Sequence, residues 1–166
     1  MPELEALGPE DAQILALEEG PIAGHTMKIA VLARPVALEQ VRARVAERAE
    51  PGSRLRLRLA PSAGAPAWEE DPEFDAARQV RLAEDGAGLA TLAGRLMGER
   101  LPRDRPLWCV DVAELPDGGG ALFWRVHHAL ADGTAVMRLG DELLWDATGD
   151  MSVLGRARGE ARAAGG

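Results

Sequence analysis

Two apolar runs on either side of Pro116-Asp-Gly-Gly-Gly120 restrict this 166-residue chain more than any other feature. Leu107-Trp-Cys-Val-Asp-Val112 and Leu122–Val126 are rich in aromatic and β-branched residues, as strands are. The Asp-Gly step between them is a strong short-range signal for a hairpin, so the two runs are predicted to pair antiparallel. A phosphate-cradling loop is the rival reading of the glycines, but no Lys-Ser/Thr follows them. The second run leads into His127-His128-Ala-Leu-Ala-Asp132-Gly133, after which Val136, Leu139, Gly140, Leu143 and Leu144 recur at helical spacing. The histidines therefore stand where a strand gives way to a helix. A loop residue at such a junction is reachable, yet held by two rigid elements.

Alternation along a strand separates the two histidines. His127 falls on the face of Phe123 and Arg125; if the strand runs on, His128 falls on that of Leu122, Trp124 and Val126. One imidazole can point at a substrate while its neighbour packs or hydrogen-bonds. The same divergence argues against both rings reaching one metal ion, although two histidines and a carboxylate are a familiar ligand set. Asp132 is placed to cap the following helix. Gly133 suits a tight turn or a close approach, having no Cβ.

The rest of the chain alternates helix and strand. Helices are expected over 9–19, 38–49 and 86–100, and strands over 25–33, 54–59 and 77–82, with 60–76 as loop. The second helix carries Leu38, Val41, Val45 and Ala49 on one side, with Arg42, Arg44, Glu47 and Arg48 as its solvated face. Arg54, Arg56 and Arg58 alternate with leucines. They read first as the wet face of a sheet, and second as a basic ladder able to meet phosphates. His25 opens its strand, either as a structural residue or as part of a substrate path. Cys109 lies inside an apolar strand and reads as packing rather than as a nucleophile. From Ala147 the pattern is lost, and Gly149, Gly155, Gly159 and the closing Ala-Ala-Gly-Gly166 predict a flexible tail over 148–166.

Composition narrows the partners. Nineteen basic residues against 27 acidic ones leave a net charge of −8, which disfavours nucleic acid and simple adhesion to anionic lipid. One cysteine permits no internal disulfide. The first residues lack a signal peptide's basic and apolar regions, and no apolar run approaches the ~20 residues of a spanning helix. A cytoplasmic protein is expected, with peripheral contact to a membrane or lipid droplet at most.

The motif 127–133 resembles the His-His-x-x-x-Asp-Gly signature of CoA-dependent acyltransferases and peptide-synthetase condensation domains. Leu7-Gly-Pro-Glu-Asp-Ala12, Trp68 followed by Phe74-Asp75, and Asp104-Arg-Pro-Leu-Trp108 narrow the likeness to the bacterial wax ester synthase/diacylglycerol acyltransferase family, in that family's order. The likeness covers about residues 5–147, the N-terminal lobe only. It implies an α/β fold: a mixed, largely antiparallel sheet flanked by helices, one lobe of a chloramphenicol-acetyltransferase-like architecture. Residues 1–147 would form that lobe, and 148–166 the tail or the start of a linker to a second lobe. It also implies fatty acyl transfer from acyl-CoA, as co-substrate with no bound cofactor, to a long-chain alcohol or diacylglycerol. His128 would be the general base and His127 its structural support, with Asp132 and Gly133 shaping the loop. The family's strand His is replaced by Gln79. A His-x₄-Asp glycerol-phosphate acyltransferase motif is formally met by His127 and Asp132, but Val126 stands where that family has Asn. The alternative is a truncated or split lobe, inactive alone, that pairs with a separate C-terminal lobe or with itself.

Overall fold

The computed structural model describes residues 4–61, 64–83 and 86–145. In chain order these form β1 (Glu5–Ala6), α1 (Pro9–Ala16), β2 (His25–Leu32), α2 (Leu38–Arg48), a 3₁₀ turn (Arg54–Arg56), β3 (Leu57–Leu59), β4 (Ala67–Glu70), α3 (Ala76–Gln79), β5 (Val80–Leu82), α4 (Leu89–Gly98), β6 (Trp108–Glu114), β7 (Gly120–His127) and α5 (Gly133–Leu144). The tail expected over 148–166 lies outside the described residues. No described helix is long and apolar enough to cross a membrane.

The main sheet has the order β2-β7-β6-β5. The expected hairpin is present: β6 and β7 pair antiparallel, with Val110 opposite Trp124, and Gly118 takes the positive φ that its turn requires. β2 adds antiparallel to β7, with His25 opposite His127, whereas β5 joins β6 in parallel. The sheet is therefore mixed and largely antiparallel, as expected.

Helices cover both faces because β7 is buried along its whole length. Leu122, Trp124 and Val126 pack in one cluster with Val41 and Val45 of α2 and Val136, Leu139 and Leu143 of α5. Ala121 and Phe123 pack on the other side with Leu92 and Leu96 of α4. Each such side chain contributes roughly 1.5–3 kcal/mol on burial. The tryptophans lock the layers. Trp108 and Trp124 lie 5.3 Å apart, centroid to centroid, and their indole N–H groups donate to Leu55 O and Val136 O.

Several expectations are corrected. The arginine side of α2 is more than a solvated face. Arg44 donates to Leu144 O, and Arg48 to Glu142 O and Trp145 O, serving carbonyls that the end of α5 cannot pair internally. The strand expected over 54–59 is strand only at 57–59, and the basic ladder is engaged within the fold. Arg54 donates to Leu130 O and Arg56 to Ala49 O, while Arg58 faces Glu69 across the β3–β4 pair. The loop expected over 60–76 contains β4, which pairs with β1 and β3 and buries Trp68. Proline and glycine on both sides disguise so short a strand. The strand expected over 77–82 begins only at Val80, because Asp75 accepts the Ala77 N–H and starts a helical turn first. Met97 of α4 is exposed, whereas Leu92 and Leu96 are buried.

Candidate active site

The strand-to-helix junction is built by four backbone hydrogen bonds. His127 N donates to Leu107 O across the hairpin, and His128 N to Gly24 O just before β2 begins. Leu130 N and Ala131 N then both reach His127 O and close a tight turn. Asp132 accepts Ala135 N at 2.8 Å and caps α5, as expected. β7 ends at His127, so His128 is the first residue of the turn and not a strand position.

The two imidazoles have opposite surroundings. His127 is 1% exposed and shares a sheet face with Phe123 and Arg125, whereas His128 is exposed. His127 Nδ1 accepts the Ala129 N–H at 3.1 Å, so in the neutral ring the proton sits on Nε2. Nε2 faces Glu18 Oε1 at 3.3 Å. Burial pushes the His127 pKa below its ordinary range, an effect Glu18 only partly opposes. His127 is therefore a buried imidazole held through Nδ1, with Nε2 close to the Glu18 carboxylate but making no hydrogen bond among the described residues.

Glu18, beyond the end of α1, organises this side. Its Oε1 accepts Gly24 N at 2.7 Å, and its Oε2 accepts Arg103 Nη2 at 2.9 Å. Burial raises its pKa, but Gly24 N–H, Arg103 and His127 together hold it below the ordinary carboxylate value. Gly24 has to be glycine, since a Cβ there would stand 2.7 Å from His127 Nε2. His25 lies opposite His127 on the same face and is buried, and burial and then Arg125 push its pKa down. It is structural and does not line an open path. The loop glycine differs: among the described residues, a Cβ on Gly133 would meet nothing within 4 Å.

Residues 7–159 match the wax ester synthase/diacylglycerol acyltransferase catalytic domain. The chain belongs to that family. It is 44% identical over 104 residues to the "Probable diacyglycerol O-acyltransferase tgs1" of Mycobacterium tuberculosis, a match covering 57% of this chain and 22% of the relative. It superposes on the wax ester synthase/diacylglycerol acyltransferase from Marinobacter aquaeolei with TM-score 0.67 and 27% identity, covering 81% of this chain and 37% of that one. The first condensation domain of the calcium-dependent antibiotic synthetase shares the fold at TM-score 0.64 and 18% identity, over 86% of this chain and 38% of that domain. The chain thus spans well under half the length of these relatives.

Within the family framework, the other motif words have structural roles. Gln79, at the position of the family's strand histidine, is buried and donates to Pro106 O and Trp108 O, tying down the start of β6. Asp104 pairs with both Arg105 and Arg78. Cys109 is buried against Asp111, and burial pushes its thiol up to about 12, which rules out thiolate chemistry near neutral pH. Sequence reasoning missed Glu18, Gly24 and Arg103 as parts of the site. Glu18 stands 109 positions before His127 and looks like one more acid at a helix end.

Proposed function

We propose that this chain carries the base of an O-acyltransferase that moves a fatty acyl group from acyl-CoA to a long-chain alcohol or diacylglycerol. His128 takes the hydroxyl proton as the alcohol oxygen attacks the thioester carbonyl. The tetrahedral intermediate collapses with cleavage of the C–S bond, and the imidazolium returns the proton to the departing CoA sulfur. General base catalysis of this kind supplies typically ~10²–10⁴-fold. The observation that carries this reading is the contrast within the pair: His127 is buried, with its Nδ1 accepting the Ala129 N–H, and His128 is exposed. Asp132 holds the loop by capping α5, and Gly133 leaves open space beside it.

A second reading has a specific observation behind it. Since the chain covers 37% of the solved Marinobacter relative, it acts as one lobe that pairs with a separate C-terminal lobe and is inactive alone. Labelled acyl-CoA offered with hexadecanol or diacylglycerol separates the two readings. Ester from the chain alone supports the first, and ester only after addition of a C-terminal lobe supports the second. Blank levels in both mixtures defeat acyl transfer.

A further inference from the structure

The His128 backbone is held from an unexpected direction. β2 and β7 pair from His25–His127 to Leu32–Gly120, and the His128 N–H to Gly24 O bond at 2.8 Å continues that ladder one step beyond both strands. Gly24 is held there by more than the ladder. Its N–H is held by Glu18 Oε1, the oxygen that also faces His127 Nε2, and the other oxygen is held by Arg103. Arg103 donates in addition to Leu15 O at the end of α1, so carboxylate and helix end are anchored together. The Glu18 side chain is only 2% exposed, which makes water a poor substitute for any of these contacts.

We propose that Glu18 is a positioning residue for His128, a role that presumes the acyl-transfer reading above. The carboxylate grips Gly24 from one side and His127 from the other. Gly24 then presents its carbonyl to the His128 N–H, and His127 closes the turn that carries His128. The buried carboxylate thereby sets where the exposed imidazole projects without touching substrate. Loss of the carboxylate leaves the Gly24 N–H without its acceptor, removes the charge beside His127 Nε2 and the Arg103 ion pair, and frees the 18–24 segment to shift. Misplacement of a reacting group by about 1 Å is enough to cost on the order of 10²-fold in rate.

The test uses the whole chain, with its C-terminal lobe added for assays if transfer requires it. Glu18→Ala should speed hydrogen exchange at the Gly24 and His128 amides while the His127 amide, bonded to Leu107 O, keeps its protection. It should lower kcat about 10- to 100-fold with KM little changed. Glu18→Gln keeps an acceptor for Gly24 and His127 but turns an NH₂ toward Arg103. The double variant Glu18→Gln/Arg103→Met removes that clash and should recover most of the lost rate and the His128 protection. Unchanged exchange at His128 in Glu18→Ala overturns the role. So does loss of protection throughout β7 that the double variant fails to restore, since Glu18 would then only hold the fold together. If no chain forms ester but the exchange pattern is as expected, the clamp stands and the acyl-transfer reading falls.

Discussion

On one face of β7, Leu122, Trp124 and Val126 pack in the apolar core with one indole hydrogen bond, and Lys28 and Thr26 of β2 lie opposite Trp124 and Val126. On the opposite face, Phe123 is followed by Arg125 and His127, each 1% exposed and each held by a buried carboxylate, Asp111 or Glu18. Non-directional packing on the first face tolerates adjustment. The second face does not, because its charged groups bond in fixed directions. Arg125 donates to Asp111 at 2.9 Å and to Leu96 O and Glu99 O at the end of α4, while Arg81 holds the other Asp111 oxygen. The polar face runs straight to His127, so directional bonds fix the strand end just before the turn that carries the proposed base.

The largest expected effect lies just past that end. His128→Ala should lower transfer by about 10²–10⁴-fold with little change in stability. His127→Ala should instead destabilise the chain, and its activity loss should follow from that. A greater specific loss in the stable fraction of His127→Ala than in His128→Ala would reverse the assignment.

Next comes the ion pair. Arg125→Met leaves Asp111 charged and buried with Arg81 as its remaining partner, at a cost of at most ~3–5 kcal/mol by urea denaturation. Arg125→Met/Asp111→Leu removes both charges and should recover part of this. Recovery stays partial because Leu96 O and Glu99 O lose their donor, at ~1 kcal/mol each. A double variant as weak as the single would mean that the face is held by packing alone.

The apolar face should respond to volume. Gly140→Ala places a Cβ 3.0 Å from Trp124 Nε1, which should cost ~1–3 kcal/mol by overpacking. Gly133→Ala, in the same helix, meets nothing within 4 Å and should leave stability level or up to ~1 kcal/mol higher. Any drop in transfer by Gly133→Ala then reports a substrate passing close to that position, which calorimetry and rate assays together would reveal.

The same contrast explains which parts of the molecule were legible. The apolar face obeys periodicity, so β2, α2, the β6–β7 hairpin and α5 are readable from spacing, and the Asp132 cap from its position before a helical pattern. Short elements are not: β4 spans four residues between proline-rich turns, and α3 occupies half of an apparent strand. The polar face leaves almost no local trace. Glu18, Arg103 and His127 are far apart in the chain, and the need for glycine at position 24 arises only when the His127 ring is packed against it. The motif located the site, but the residues that hold it come together only in the fold.

Protonation should give the smallest effect and should distinguish the faces by its sign. Burial is the leading cause that holds His25 and His127 below their ordinary 6.5, and Glu18 is held below 4.5 by Gly24 N–H, Arg103 and His127 against the cost of burial. In each case the unfolded chain binds protons more readily than the folded one, so acid favours unfolding. The stability these groups confer is complete above about pH 6.5 for the histidines and 4.5 for Glu18, and it is lost as pH falls through their depressed folded values. Arg125, Glu18, Asp111 and His127 all bear on His25, so His25→Leu removes one titrating group from this set. Its urea midpoint should therefore decline less between pH 7 and pH 5 than that of the parent chain. Val126→Ala, on the apolar face, should lower the midpoint by the same amount at both pH values. Parallel declines in the parent and His25→Leu would show that the polar face does not sense protons through His25.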